Sequence, residues 1–73
     1  MKTLTIHTEF IKLESALKLC NAVESGGMGK EMIQDGQVTV NGEVCTMRGK
    51  KLRPGDTFSY MGASWQIAGH AAE

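Results

Sequence analysis

The sequence contains no unbroken apolar run longer than two residues. A membrane-spanning helix needs about 20 such residues and a secretory leader about 7–15, so neither is expected. Proline occurs once, which excludes collagen-like and proline-rich linker sequences. Two cysteines, Cys20 and Cys45, stand without CxxC spacing and without a flanking His. That is too few for a disulfide scaffold and the wrong spacing for a zinc site. Both therefore read as reduced core residues. The two histidines, His7 and His70, have no second ligand at metal spacing, so no metal and no cofactor are expected. Charge of one sign is missing as well. Eight Lys and Arg balance eight Asp and Glu, which excludes a strongly basic, histone-like binder.

What remains is a short globular chain. Of 73 residues, 41% are hydrophobic and 22% charged. That composition is not that of a disordered segment. A chain of this size hides only about 60% of its unfolded surface, enough for one modest core and no deep cleft. The expectation is one domain over residues 1–73, cytoplasmic and monomeric. The charges are unevenly spread. Residues 1–43 carry four Lys and six acids, whereas residues 44–73 carry four basic residues and two acids. Those four are Arg48, Lys50, Lys51 and Arg53, all within six positions.

Thr3–His7 alternates polar and apolar residues and predicts a short strand with Leu4 and Ile6 inward. Residues 11–22 predict a helix, with Leu13, Ala16, Leu17 and Cys20 on one face. Ile11, Leu19 and Ala22 fall on another side, as in a helix wedged between neighbours. Ser25 is a suitable N-cap for a second helix of about ten residues. Met28, Met32 and Ile33 give its buried face, and Gly36 is placed to end it in the left-handed conformation. Gln37–Val40, Asn41-Gly42 and Glu43–Cys45 predict a hairpin, because both central residues of a type I′ turn need positive φ. A basic loop runs from Thr46 to Arg53. Arg53-Pro54-Gly55-Asp56 is a tight turn, with Asp56 a turn residue. Thr57–Tyr60 and Ser64–Ile67 are strands joined by Met61-Gly62-Ala63, and residues 69–73 should fray. The predicted class is α+β: two short helices packed on a small, mostly antiparallel sheet, in the order β-α-α-β-β-loop-β-β.

This order and its residues resemble the S4-type RNA-binding domain, built around the alpha-L motif. The pieces are Leu13, Leu17, Val23-x-Ser25, Met32-Ile33, Gly36, Val38-Thr39-Val40-Asn41-Gly42 and Leu52-Arg53-Pro54-Gly55-Asp56. The likeness runs from about Phe10 to Phe58 without a gap. The chain is similar to the small, stand-alone bacterial branch of the family, which also has Ser-Gly-Gly and Arg-Gly-Lys-Lys-Leu-Arg-Pro-Gly-Asp. The resemblance implies binding to structured RNA of the ribosomal or transfer RNA class, with no catalysis. The chain departs from the family where many members carry Arg after the Ser. Here Gly26 and Gly27 follow Ser25, so one expected basic contact is missing. Gly29 occupies the position of a usual small Ala.

Arg48, Lys50, Lys51 and Arg53 are the first candidate RNA contacts, since clustered cations are the footprint of phosphate binding. Such a run is also what a solvated charged loop looks like. Lys30 and Lys18 point away from the apolar faces of their helices and are further candidates. Gly26 and Gly27 open the second helix, where free N–H groups and a partial positive charge favour anions. Plain chain geometry is the favoured account of them. Trp65, Tyr60 and Phe58 could stack on bases, but core duty is the simpler assignment in a chain with so few aromatics. No carboxylate pair or nucleophile–base set suggests an enzyme. The leading expectation is a non-catalytic protein that docks a positive face, formed by helix two and the basic loop, on folded RNA of the ribosome or its precursors. The alternative is a protein-docking module, favoured by the zero net charge and the acidic first half.

Overall fold

The computed structural model describes residues 1–24 and 26–69. Ser25, the expected N-cap, and residues 70–73 of the expected frayed end lie outside them. The elements are β1 (Lys2–Ile6), β2 (Ile11–Lys12), α1 (Leu13–Leu19), α2 (Gly26–Gln34), β3 (Val38–Val40), β4 (Glu43–Val44), β5 (Lys51–Leu52), β6 (Thr57–Tyr60) and β7 (Ala63–Gly69). Five strands form one sheet in the order β1-β7-β6-β3-β4, and β2 and β5 form a separate two-stranded ribbon. All pairings are antiparallel except β1 with β7, which is parallel. The α+β class with a mostly antiparallel sheet is as expected.

The turns explain the sheet. Asn41 (φ 51) and Gly42 (φ 87) both adopt the left-handed region and connect β3 to β4, as a type I′ turn requires. Met61 (φ 54) and Gly62 (φ 81) do the same between β6 and β7. This second two-residue hairpin is shorter than the expected three-residue link, so β7 starts at Ala63 and runs on to Gly69. Asp56 N–H donates to the Arg53 carbonyl at 2.9 Å, and Gly55 at φ 99 completes the tight turn.

Both helices end in the same way. After α2, Gly36 (φ 78) donates to the Ile33 carbonyl and Gln37 to that of Met32. After α1, Asn21 (φ 62) donates to the Lys18 carbonyl and Ala22 to that of Leu17. Each is a Schellman motif, which satisfies carbonyls left over at a helix end. Asn21 therefore stops α1 at Leu19, three residues before the expected end. The expected start at Ile11 is also displaced, because Ile11 and Lys12 are extended and pair with Leu52 and Lys51. Leu19 is 58% exposed, so α1 packs through one face and is not wedged.

The buried faces meet in one core. Leu13, Ala16 and Leu17 of α1 join Ile33 of α2, Val38, Val40, Phe58, Tyr60, Trp65 and Ile67 of the sheet, Ile6 of β1 and Leu52 of β5. Alternation along β6 and β7 sends Phe58, Tyr60, Trp65 and Ile67 inward. Ile6 is buried as expected, and Leu4 only half-buried. On α2 the buried face is Gly29 and Ile33, with Met32 half-buried. Met28 is exposed instead, because α1 and α2 meet over Gly29, where the two backbones come close. Cys20 and Cys45 are free thiols, half-buried at the edge of the core and not within it.

Candidate nucleic-acid interface

The segment from Thr46 to Arg53 is not a projecting loop. Lys51 and Leu52 form β5, and the segment's backbone is fastened to the start of α1. Leu13 N–H donates to the Lys50 carbonyl at 2.8 Å, and Glu14 N–H to the Arg48 carbonyl at 3.1 Å. Lys12, the N-cap residue of α1, makes no side-chain capping bond. The carbonyls of the basic segment thus satisfy orphan donors of the helix. Leu52 is fully buried and pins the segment to the core. The backbone is held from two sides, while the side chains of Arg48, Lys50, Lys51 and Arg53 are exposed. Lys51 and Arg53 flank Leu52, so the inward turn of Leu52 sends both outward. Among the described residues, none of these four cations forms an ion pair with a carboxylate.

Two residues outside the basic cluster lie beside it. The Lys51 Nζ sits 4.8 Å from the centroid of the Phe10 ring, a cation–π contact. Lys12 lies directly opposite Lys51 in the β2–β5 register, and both are exposed. No local signal marks Lys12, because apolar periodicity places it inside a helix. Its position follows only from a long-range pairing.

The remaining candidates are scattered over other elements. Lys18 is exposed on α1, and with Ile11, Ser15, Leu19 and Asn21 it lines a shallow concavity. Lys30 on α2 is half-buried and not fully solvated. Gly26 is the first residue of α2, and Gly27 follows it. The aromatics do core duty. Phe58 and Trp65 stack with centroids 5.2 Å apart and an interplanar angle of 13°, and both are buried. The Lys2 ammonium lies 5.9 Å from the centroid of the Trp65 ring. Tyr60 is buried as well. Among the described residues no group of three His, Cys, Asp or Glu is placed to hold a metal ion. Among them, too, no helix is long and apolar enough to cross a membrane.

Comparison with known families decides the assignment. The S4 domain profile matches residues 4–68. The chain belongs to the S4 domain family. The match extends beyond the Phe10–Phe58 stretch that carries the resemblance in sequence, and takes in most of β1 and β7, the parallel pair. One relative of this S4 domain is the Bacillus subtilis (strain 168) protein named "Probable ribosome maturation protein RlbA". It is 40% identical over 65 residues, which cover 88% of this chain and 92% of the relative. Among solved structures, Escherichia coli YbcJ superposes with a TM-score of 0.72 at 36% identity, covering 93% of this chain and 87% of YbcJ. The solution structure of YbcJ is described as revealing an alpha-L motif involved in RNA binding.

Proposed function

We propose that this S4 domain binds folded RNA of the ribosomal or transfer RNA class, as a monomer and without catalysis, and acts on the ribosome or its precursors. The observation that carries this reading is the basic segment. Its backbone is fixed by Leu52 and by the first turn of α1, so its cations are displayed with little backbone entropy left to lose on binding. RNA-backbone binding is largely electrostatic, and displayed Lys and Arg are its expected instrument. Lys30, Lys18 and the N–H groups at Gly26 and Gly27 extend the same role to the helices, with docking by shape and phosphate contact more than by base reading. The RNA-binding alpha-L motif of YbcJ and the ribosome-maturation name of the Bacillus relative support the choice of ligand.

The test is the salt dependence of binding. Replacing Arg48, Lys50 and Arg53 together by Ala leaves Leu52 and the anchoring carbonyls in place. Exposed substitutions of this kind change stability by less than about 0.5 kcal/mol each. Binding to ribosomal RNA should weaken by a similar factor for unrelated sequences. The slope of log affinity against log salt should flatten by about 2–3, since each phosphate neutralised is worth roughly 0.7–0.9. Unchanged affinity with an unchanged slope would reject this face.

A second reading has one observation in its favour. Val44 and Met47 are 64% and 65% exposed and border a concavity of about 330 Å³ lined also by Val40, Cys45 and Lys50. Exposed apolar side chains grouped around a hollow suit a protein partner. Complex formation that survives high salt and fails on Met47→Asp would favour that reading.

A further inference from the structure

The β2–β5 ribbon is two residues long in each strand, yet it sets two lysines face to face. Register pairs Ile11 with Leu52 and Lys12 with Lys51. Residues directly opposite in an antiparallel pair have Cβ atoms about 4.5–5.5 Å apart, so the two ammonium groups share one face of the ribbon. The opposite face carries Leu52, fully buried, and Ile11, half-buried. The ribbon is therefore a fixed platform, apolar beneath and doubly cationic above. Like charges placed this way destabilise the free protein. Among the described residues neither lysine is ion-paired with a carboxylate. An anion lying between the two ammonium groups would turn this repulsion into attraction.

Phe10 adds organisation. Its ring holds the Lys51 ammonium at 4.8 Å, against the ribbon instead of loose in solvent. Arg53, two residues beyond Lys51 in an extended segment, is exposed on the same side. The face thus presents Lys12 and Lys51 opposite one another, the Phe10 ring against Lys51, and Arg53 two residues along from Lys51.

We propose that Lys12 and Lys51, paired across the ribbon and backed by Phe10, form a clamp for one phosphodiester of the RNA backbone. Each ammonium would take one of the two non-bridging oxygens. This inference rests on the RNA-binding reading, and it assigns a role to Lys12 and Phe10, which the cationic cluster in the sequence does not include. Lys12 and Lys51 bind the phosphate; Phe10 is a positioning residue that acts through Lys51.

The experiment measures retention of radiolabelled ribosomal RNA on filters at several salt concentrations, with thermal melting of the same proteins. Lys12→Gln should weaken binding at least about fivefold, as expected when a charge-assisted hydrogen bond is removed. Its salt slope should flatten by about 0.7–0.9. Its melting temperature should stay level or rise by about 1–3 °C, because a like-charge pair is relieved. Lys12→Arg should retain binding. The double change K12Q/K51Q should cost less than the sum of the single ones, since both lysines serve one phosphate. Phe10→Leu should weaken binding less than K51Q does, and by nothing further in the K51Q background. If K12Q binds like the unaltered chain while the Arg48, Lys50 and Arg53 triple variant binds weakly, the clamp is overturned and the RNA-binding reading stands. If K12Q lowers both binding and melting temperature and K12R does not restore them, Lys12 serves the fold and the clamp is again overturned. If the unaltered chain retains no RNA, both fail.

Discussion

Asn41 and Asp56 sit on different turns and are bonded to each other, with Asn41 Nδ2 donating to Asp56 Oδ1 at 3.3 Å. Each also serves its own surroundings. Asn41 Oδ1 accepts from the Thr57 N–H at 3.0 Å and from the Thr57 hydroxyl at 3.3 Å. Asp56 Oδ2 accepts the Arg53 N–H at 2.8 Å. The hairpin turn and the Pro54-Gly55 turn are thus joined at the end of the basic segment. Asn41→Gly keeps the positive φ but loses these bonds, and should cost about 1–2 kcal/mol in chemical denaturation. Asn41→Ala should cost about 1 kcal/mol more, because Ala is strained at φ 51. Equal losses for the two variants would mean that the backbone conformation is not what Asn41 supplies.

Gly29 is an unused opportunity for stability. It is buried within α2, and a Cβ there would meet Val23 Cγ2 at 3.5 Å, the Glu14 carbonyl oxygen at 3.6 Å and Leu17 Cδ1 at 3.9 Å. These are ordinary van der Waals distances, so Ala fits without displacement. Gly29→Ala should stabilise by up to about 1 kcal/mol through helix propensity, raising Tm by roughly 4–8 °C. A lower Tm would mean that α1 and α2 have less room between them than these distances indicate.

Leu52 links stability to the site. It is fully buried, and its neighbours on either side carry the cations. Leu52→Ala should cost about 2–5 kcal/mol. It should also raise amide exchange at Leu13 and Glu14, whose N–H groups are held by the basic segment. Fast exchange confined to residues 46–53 would show instead that α1 keeps its start without that support.

Cys20 gives the fold an alkaline limit. Burial pushes its thiol above the ordinary value of 9.0, against weaker lowering by nearby backbone groups and Lys2. The folded chain therefore holds this proton more tightly than the unfolded chain does. The stabilisation is complete below about pH 9 and is lost as pH rises through the folded value. The stability difference between the natural chain and Cys20→Ala should thus be constant from about pH 6 to 8 and narrow towards about pH 10. A difference that stays flat across that whole range would contradict a raised thiol.

The features legible in the sequence are those with local chemistry. Asn41-Gly42 and Pro54-Gly55 carry their φ requirements on their face, and Gly36 its helix-ending role. Leu52 between Lys51 and Arg53 dictates the inward–outward order. The hairpin at Met61-Gly62 is obscured because Met is not a residue that favours positive φ. Asn21 as the stop of α1 is masked by apolar periodicity, which continues to Ala22. The ribbon is invisible for a different reason. Two-residue strands have no period to detect, and the pairing of Ile11 with Leu52 is decided by the core they cover. Lys12 and Phe10 are hidden with it.

The parallel pairing of β1 with β7 bears on how the chain comes to be folded at all. On a growing polypeptide β1 is made before its backbone partner β7, with every other described element between them. The hairpins β3–β4 and β6–β7 and the α1–α2 pair can form early from nearby segments. Closure of the sheet around Ile6 must wait, since bringing distant segments together carries the larger loop-entropy cost. Until β7 is made, β1 has no strand to pair with among the described elements. Pairing of β1 with β7 is thus a contact between segments on either side of every other described element, and it costs more loop entropy than either hairpin.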